Sequence, residues 1–194
     1  MKALGVVGSP NKDGNTAYLL KYMFKKLSCK LETEIIYLKD LEIKPCDGCW
    51  CCESDGECII EDDMKMLYPK LLMTDVIVLS SPSYMGGVTS RLRAFMERTW
   101  HLRKGQLSNK IGTYIVVGRR KICSAVIEME EYLERMRMIK ITGVVGYAFK
   151  KGEIKKDKEA FRDADKTVEQ ILRVISKRGV PDSYRGCWPK NLKK

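Results

Sequence analysis

The sequence has no apolar run approaching the roughly 18–20 residues needed to span a bilayer. Its first residues, Met1-Lys2-Ala3-Leu4-Gly5-Val6-Val7-Gly8, hold an apolar stretch too short for an export signal, and no small-residue cleavage site follows. Both absences point away from a membrane partner and the secretory route, so the expected location is the cytoplasm. Histidine occurs once, at His101. It follows a predicted helix and reads as a packing or surface residue, so no imidazole-based dyad is expected. Glutamine is scarce beside Lys and Glu, a composition seen in thermophilic proteins. Internal repeats and low-complexity linkers are lacking. With 194 residues, 44% of them hydrophobic, the chain can bury one core without staples. A disordered chain, a collagen-like fibre and a disulfide miniprotein are excluded.

What stands out instead is eight cysteines and a net charge of +11. Five cysteines, Cys46, Cys49, Cys51, Cys52 and Cys58, crowd one short segment, while Cys29, Cys123 and Cys187 are isolated. Clustered thiols without an export signal point to metal or redox chemistry rather than to disulfides. Cys46 to Asp63 also holds Asp47, Glu53, Asp55, Glu57, Glu61, Asp62 and Asp63 and no basic residue. An acidic arm therefore sits on a basic body. Positive charge by itself would fit nucleic acid. The signs alternate in stretches such as Lys150 to Glu159, however, which reads as a solvated face, and no nucleic-acid partner is expected.

Short apolar runs alternate with helical patterns. Strands are predicted at Ala3–Val7, Glu32–Leu38, Val76–Leu79, Ile111–Val117 and Ile139–Tyr147. Helices are predicted at Asn15–Leu27, Asp62–Met73 with a kink at Pro69, Val88–Trp100, Ser124–Met136 and Glu159–Ser176. Alternation of this kind calls for a doubly wound five-stranded parallel sheet of flavodoxin-like order 2-1-3-4-5, covered on both faces. Ligands are expected at its carboxyl edge, where strands 1 and 3 diverge. The domain is placed at residues 1–178, with a non-periodic cysteine loop inserted at 39–61 after strand 2 and a tail at 179–194.

Strand 1 runs into Gly8-Ser9-Pro10-Asn11-Lys12-Asp13-Gly14-Asn15-Thr16 and then a helix. Free N–H groups and the helix dipole make such a turn an anion site. The Ser9 and Thr16 hydroxyls and the Asn15 amide can add donors. A nucleoside-triphosphate P-loop is excluded by the glycine spacing and by Asn15 in place of lysine, and the dinucleotide motif G-x-G-x-x-G is absent. A monophosphate such as that of FMN remains, unless this is a plain capped turn. After strand 3, Ser81-Pro82-Ser83-Tyr84-Met85-Gly86-Gly87-Val88-Thr89 offers glycines for close approach and an aromatic and a thioether for a flat ring. After strand 4, Val117-Gly118-Arg119-Arg120-Lys121 brings cations to the same edge, near the flavin or an acidic partner.

The cysteines read C-x2-C-x2-C-x5-C through Cys46, Cys49, Cys52 and Cys58. That spacing matches the runs that wrap a [4Fe–4S] cube. Structural zinc usually takes two separated C-x2-C knuckles, and the second is missing. Cys51 in place of Cys52 would also complete four thiolates. The acids around the run should disfavour an added electron and lower the cluster's potential.

These motifs resemble the archaeal-type iron–sulfur flavoproteins within the wider NADPH-dependent FMN reductase family. The resemblance runs from Met1 to about Ile175. Gly8-Ser9-Pro10 with Gly14-Asn15-Thr16, and Ser81-Pro82-Ser83-Tyr84, are similar to the wider family's flavin loops, and the cysteine run marks the iron–sulfur branch. The resemblance implies one FMN and one [4Fe–4S] cluster per subunit in a homo-oligomer, a dimer or tetramer. It implies that Cys46, Cys49, Cys52 and Cys58 ligate the cluster and that Ser9, Asn11, Asn15 and Thr16 hold the phosphate. Pro82, Ser83, Tyr84, Met85 and Gly86 would line the ribityl chain and ring, with Gly118 on the third loop. Two departures are Cys51 and Arg119-Arg120-Lys121, which stands where the wider family often has a glycine-rich stretch and speaks against direct NAD(P)H use. The expected function is electron transport between cluster and FMN, from a ferredoxin-like donor to a small acceptor, with no acid–base catalyst. The rivals are an NAD(P)H-dependent FMN or quinone reductase with a structural metal, and an iron–sulfur sensor that binds nucleic acid.

Overall fold

A computed structural model describes residues 1–177. The expected tail at 179–194, with Cys187, and the expected domain limit at residue 178 lie outside the described residues. Strand β1 (Lys2–Val7) pairs in parallel with β2 (Glu32–Tyr37) on one side and with β3 (Val76–Pro82) on the other. Strand β4 (Ile111–Gly118) extends the sheet beyond β3, which gives the order 2-1-3-4-5.

The residue types explain this layout. β3 and β4 are almost wholly buried, as continuous Val/Ile/Leu runs demand, whereas the edge strand β2 is only half covered. Alternate side chains feed two cores. Leu4, Val6, Ile77, Leu79, Tyr114 and Val116 face one. Ala3, Val7, Val76, Val78, Ile115 and Val117 face the other. The first core is covered by α3 (Met64–Met73), α4 (Ser90–Arg98) and α5 (Cys123–Arg135) through Leu67, Leu92, Phe95, Met129 and Leu133. The second is covered by α1 (Asn15–Leu27) and α6 (Lys158–Lys177) through Leu20, Phe24, Val168 and Ile171. Helix α2 (Cys51–Ser54) is a single turn inside the cysteine segment, where no periodic element was expected. Helix α3 runs on through Pro69.

The last strand differs from expectation. Residues 139–147 form two short strands, β5 (Ile139–Lys140) and β6 (Val144–Tyr147), both parallel to β4. Gly112 pairs with Lys140 and Ile115 with Val144, so three steps along β4 face four along its partner. The extra residue makes a bulge. Gly143 sits within it, where a Cβ would stand 2.4 Å from the Tyr114 ring. A hydrophobicity pattern is blind to such a register slip, because Ile139, Ile141, Val144 and Val145 keep the stretch largely apolar across it. Among the described residues no helix is long and apolar enough to cross a membrane.

Candidate functional site

The carboxyl ends of β1, β3, β4 and β6 open into one cleft of about 1160 Å³. All three expected loops line it, through Ser9, Asn11, Asn15, Thr16, Pro82, Ser83, Tyr84, Met85, Gly86 and Gly118. At its floor the β1 loop is locked by its own backbone. The Gly8 N–H donates to the Ser80 carbonyl (2.8 Å), and the Gly14 N–H to that of Asn11 (3.1 Å). The buried Ser9 hydroxyl accepts from the Asn11 N–H (3.1 Å). Thr89 ties this loop to the next, its hydroxyl donating to the Gly8 carbonyl (2.8 Å).

The two helices that begin at the cleft end differ. Thr89 caps α4, its hydroxyl accepting from the Leu92 N–H. Helix α1 starts at Gly14 with no side-chain cap. Its first-turn N–H groups have no intrahelical acceptor and no side-chain cap, and Gly14, Asn15 and Thr16 line the cleft beside Ser9.

The Asn15 side chain does a different job from the one expected. Its amide donates to the Lys150 carbonyl (2.9 Å) and accepts from the Gly152 N–H (2.8 Å). It clamps the loop after β6 to the start of α1, which leaves the backbone N–H of Asn15 as its group beside the helix end. On the β3 loop, Tyr84 and Gly87 exchange backbone hydrogen bonds around a tight turn. Met85 (φ 51°) and Gly86 (φ 89°) are both left-handed there, which glycine tolerates and methionine does not favour. That turn holds Met85 fully exposed at the cleft rim and Tyr84 half-exposed beside it.

A fourth wall was missed from sequence. Ala148, Phe149 and Lys151, after β6, line the cleft, with the Arg119 guanidinium 5.3 Å from the Phe149 ring centroid. The Ala148 N–H donates to the Gly118 carbonyl (3.0 Å), joining this wall to the third loop. Glu153 holds it in place by accepting from the Phe149 and Lys150 N–H groups (both 2.8 Å), and these bonds depress its pKa. The signal was available in Tyr147-Ala148-Phe149, which leaves the last strand at the same edge. The cleft is strongly basic: Lys12, Lys39, Arg119, Arg120, Lys121 and Lys151 line it against one acid, Asp13. Lys12 is spoken for by a salt bridge to Asp40.

The cysteine segment lies beyond β2 and is held by α4 and the turn after it. Cys46 and Cys49 are exposed, and Cys51, Cys52 and Cys58 are half-buried, all as free thiols. Among the described residues no three potential metal-ligating side chains are drawn into one group. Burial, then the neighbouring Cys58, Glu53 and Cys46, push the Cys52 thiol above its ordinary pKa. Cys51 instead turns to Cys49, its thiol 3.8 Å from the Cys49 carbonyl. The Cys51 backbone N–H favours the Cys49 thiolate, but the Cys51 and Asp47 side chains outweigh it and push Cys49 up to about 11.

The acids around these thiols do not form the bare negative field expected from sequence. Asp62 is locked to Arg98, Glu53 is bonded to Arg103 (2.6 Å) and Lys104 (3.2 Å), and Glu61 is paired with Lys65. His101 is buried, edge-on to Tyr68 at 4.7 Å, and burial lowers its pKa. It packs, as one of the two expected roles had it.

Comparison with known proteins agrees with this geometry. Residues 1–151 match the family model of NADPH-dependent FMN reductase. An iron–sulfur flavoprotein of Methanocaldococcus jannaschii is 42% identical over 120 residues, which cover 61% of this chain and 62% of that one. One from Archaeoglobus fulgidus is 33% identical over 156 residues, covering 76% and 67%. The chain thus spans under two thirds of the length of the first of these. An FMN-dependent NADH-azoreductase from Bacillus anthracis, solved with FMN, superposes with a TM-score of 0.67 at 11% identity, covering 88% and 99%. With the uncapped helix end, the four-loop cleft and the thiol run in one chain, the protein belongs to the NADPH-dependent FMN reductase family, among its iron–sulfur flavoproteins.

Proposed function

We propose that this protein is an electron-transfer flavoprotein that binds FMN in the cleft and a [4Fe–4S] cluster through Cys46, Cys49, Cys52 and Cys58. The observation that carries the flavin half is the uncapped start of α1 at the floor of the cleft. It offers backbone N–H donors to a phosphate, with Ser9, Asn11, Asn15 and Thr16 around it. Pro82, Ser83, Tyr84, Met85, Gly86 and Gly118 then line the space for the ribityl chain and ring, and Phe149 closes the opposite side. The names of the relatives support an iron–sulfur group here, and the donor set suits one, since four thiolates from one short loop are the usual cluster ligands. Cys52 is the third ligand in this reading because the C-x2-C-x2-C spacing favours it, while the Cys51 thiol turns to the Cys49 carbonyl.

When bound, the cluster exchanges single electrons and the flavin one or two. The chain's part is to position both and to shape their electrostatics. Arg119, Arg120, Lys121 and Lys151 favour an anionic ligand at the rim and would steer an acidic, ferredoxin-like donor. A homo-oligomer located in the cytoplasm, delivering electron pairs to a small acceptor, completes the reading.

The test is anaerobic purification followed by iron, sulfide and flavin assays and an absorption spectrum. The expected result is about four irons and one FMN per chain, by the composition of such a cluster. Zinc in place of iron, with rapid hydride transfer from NADPH, would instead favour a reductase carrying a structural metal.

A further inference from the structure

The cysteine segment is tied at its neck and again at its tip, and both ties come from one short stretch, Arg98 to Lys104. At the neck Arg98 is wholly buried, as is its partner Asp62. Its guanidinium meets the Asp62 carboxylate on both oxygens, donates to the Lys44 carbonyl (2.9 Å), and donates to the Ile60 carbonyl (3.2 Å). Lys44 precedes Cys46 by two residues, and Ile60 follows Cys58 by two. Asp62 closes the same ring by accepting from the Lys44 N–H and the Met64 N–H, both at 2.9 Å. Just outside it, the Asp63 carboxylate accepts from the Glu42 N–H (2.7 Å), and the Asp63 N–H donates to the Glu42 carbonyl (3.1 Å). At the tip, Glu53, next to Cys52, accepts from the Trp100 indole (3.0 Å) as well as from Arg103 and Lys104.

One donor in this ring has no acceptor. Arg98 Nε is buried and unpartnered among the described residues. The Ile60 carbonyl that accepts from Arg98 lies two residues from Cys58, and the Tyr68 hydroxyl donates to the Arg98 carbonyl (2.9 Å) on the other side.

We propose that Arg98 is a positioning residue for the cluster: it locks the neck of the cysteine loop before any metal is bound and leaves its unpartnered Nε–H for a cluster sulfur. This rests on the reading of Cys46, Cys49, Cys52 and Cys58 as cluster ligands. The physical reason is entropic and electrostatic. Closing the loop in advance removes part of the ordering cost of gathering four thiolates. A cationic N–H donor on a ligand sulfur favours the reduced, more negative cluster and raises its potential. Lysine at position 98 keeps the charge, but a single ammonium cannot reach two carbonyls, both carboxylate oxygens and a sulfur at once.

The experiment compares wild type, Arg98→Lys and Asp62→Asn, all full length and purified anaerobically. Three readouts are taken: iron relative to FMN under chelator challenge, the cluster midpoint potential from an EPR-monitored titration, and hydrogen exchange of the cluster-free chain. The expected result is that Arg98→Lys keeps its FMN but loses about tenfold or more in cluster retention, the usual cost of an outer-shell partner. Its remaining cluster titrates at a lower potential. Asp62→Asn loses less, because one carboxamide oxygen still accepts. In cluster-free wild type the amides of Lys44 and Met64 stay protected. Exposed amides there, or an Arg98→Lys protein with wild-type retention and potential, would overturn the proposal. If Arg98→Lys loses FMN as well as iron, it has misfolded, and the exchange data with Asp62→Asn decide. Wild type that never holds iron sinks the cluster reading, whereas the exchange result on the neck stands apart from it.

Discussion

The cleft and the cysteine loop are both candidate cofactor sites, yet they are built by opposite means. The cleft is made of short turns that leave buried parallel strands, and its geometry is set mainly by backbone bonds such as Gly8 to Ser80, Ser83 to Val117 and Ala148 to Gly118. The cysteine loop has little buried surface of its own between Cys46 and Glu57. It is held by side chains from elsewhere, with Arg98 on its neck and Trp100, Arg103 and Lys104 on Glu53. The lesson is where each site is vulnerable. A site framed by a sheet edge survives most single side-chain changes. A site hung on one buried ion pair does not.

The sharpest way to test that contrast is to remove one thiol. Cys52→Ser should abolish most cluster iron and leave FMN in place, whereas Cys51→Ser should keep both; iron and flavin assays on the two variants separate them. The reverse outcome would make Cys51 the ligand. Next in size is the neck. Breaking a buried pair leaves an uncompensated charge at a cost of about 3–5 kcal/mol. Asp62→Ala should therefore lower the melting temperature clearly. Neutralising Asp165, which pairs with Lys26 at the surface, should cost no more than about 1 kcal/mol. Equal shifts in a melting series would remove the distinction between the two kinds of anchor.

Within the cleft the effects should be smaller. Asn15→Ala frees the 150–152 loop and should weaken FMN binding by about 1 kcal/mol, roughly fivefold in Kd, measurable by fluorescence titration. Met85→Gly relieves a left-handed backbone worth about 1 kcal/mol. It should stabilise the flavin-free protein while loosening FMN; tighter FMN binding would show that Met85 does not contact the ring. The smallest effect expected is acid loosening of the fourth wall. Glu153 has a depressed pKa in the folded chain, so its support is complete above its ordinary value of 4.5 and fades as pH falls through the lower folded value. FMN affinity should drop in that acid window in wild type and be low already at neutral pH in Glu153→Gln, with little further pH dependence from this group.

Much of this was readable beforehand, and the split follows the same contrast. The strand order, the loops at Ser9–Thr16 and Pro82–Gly86, and the C-x2-C-x2-C-x5-C run are local patterns. Each is written in neighbouring residues, and the parallel topology then forces the two loops together. Phe149 was missed although the topological rule that placed the other loops covers it too. Arg98 was passed over because α4 was read for its apolar stripe of Leu92, Phe95 and Met96. A charge three residues after Phe95 lies on that same inward face and needed a buried acid, which the sequence supplied 36 positions earlier at Asp62.

Sequence by itself therefore determined the sheet, the carboxyl edge where its loops gather, the turn from β1 into α1 and the thiol inventory, because backbone periodicity and spacing are local properties. Only the tertiary structure decided that α1 begins uncapped, that Asn15 serves the fourth wall, that the Cys51 thiol turns to the Cys49 carbonyl, and that Glu53, Glu61 and Asp62 of the cysteine arm are paired with cations. Those are matters of which distant groups meet. Desolvation and charge pairing act on groups brought together by folding, and no spacing along the chain records them.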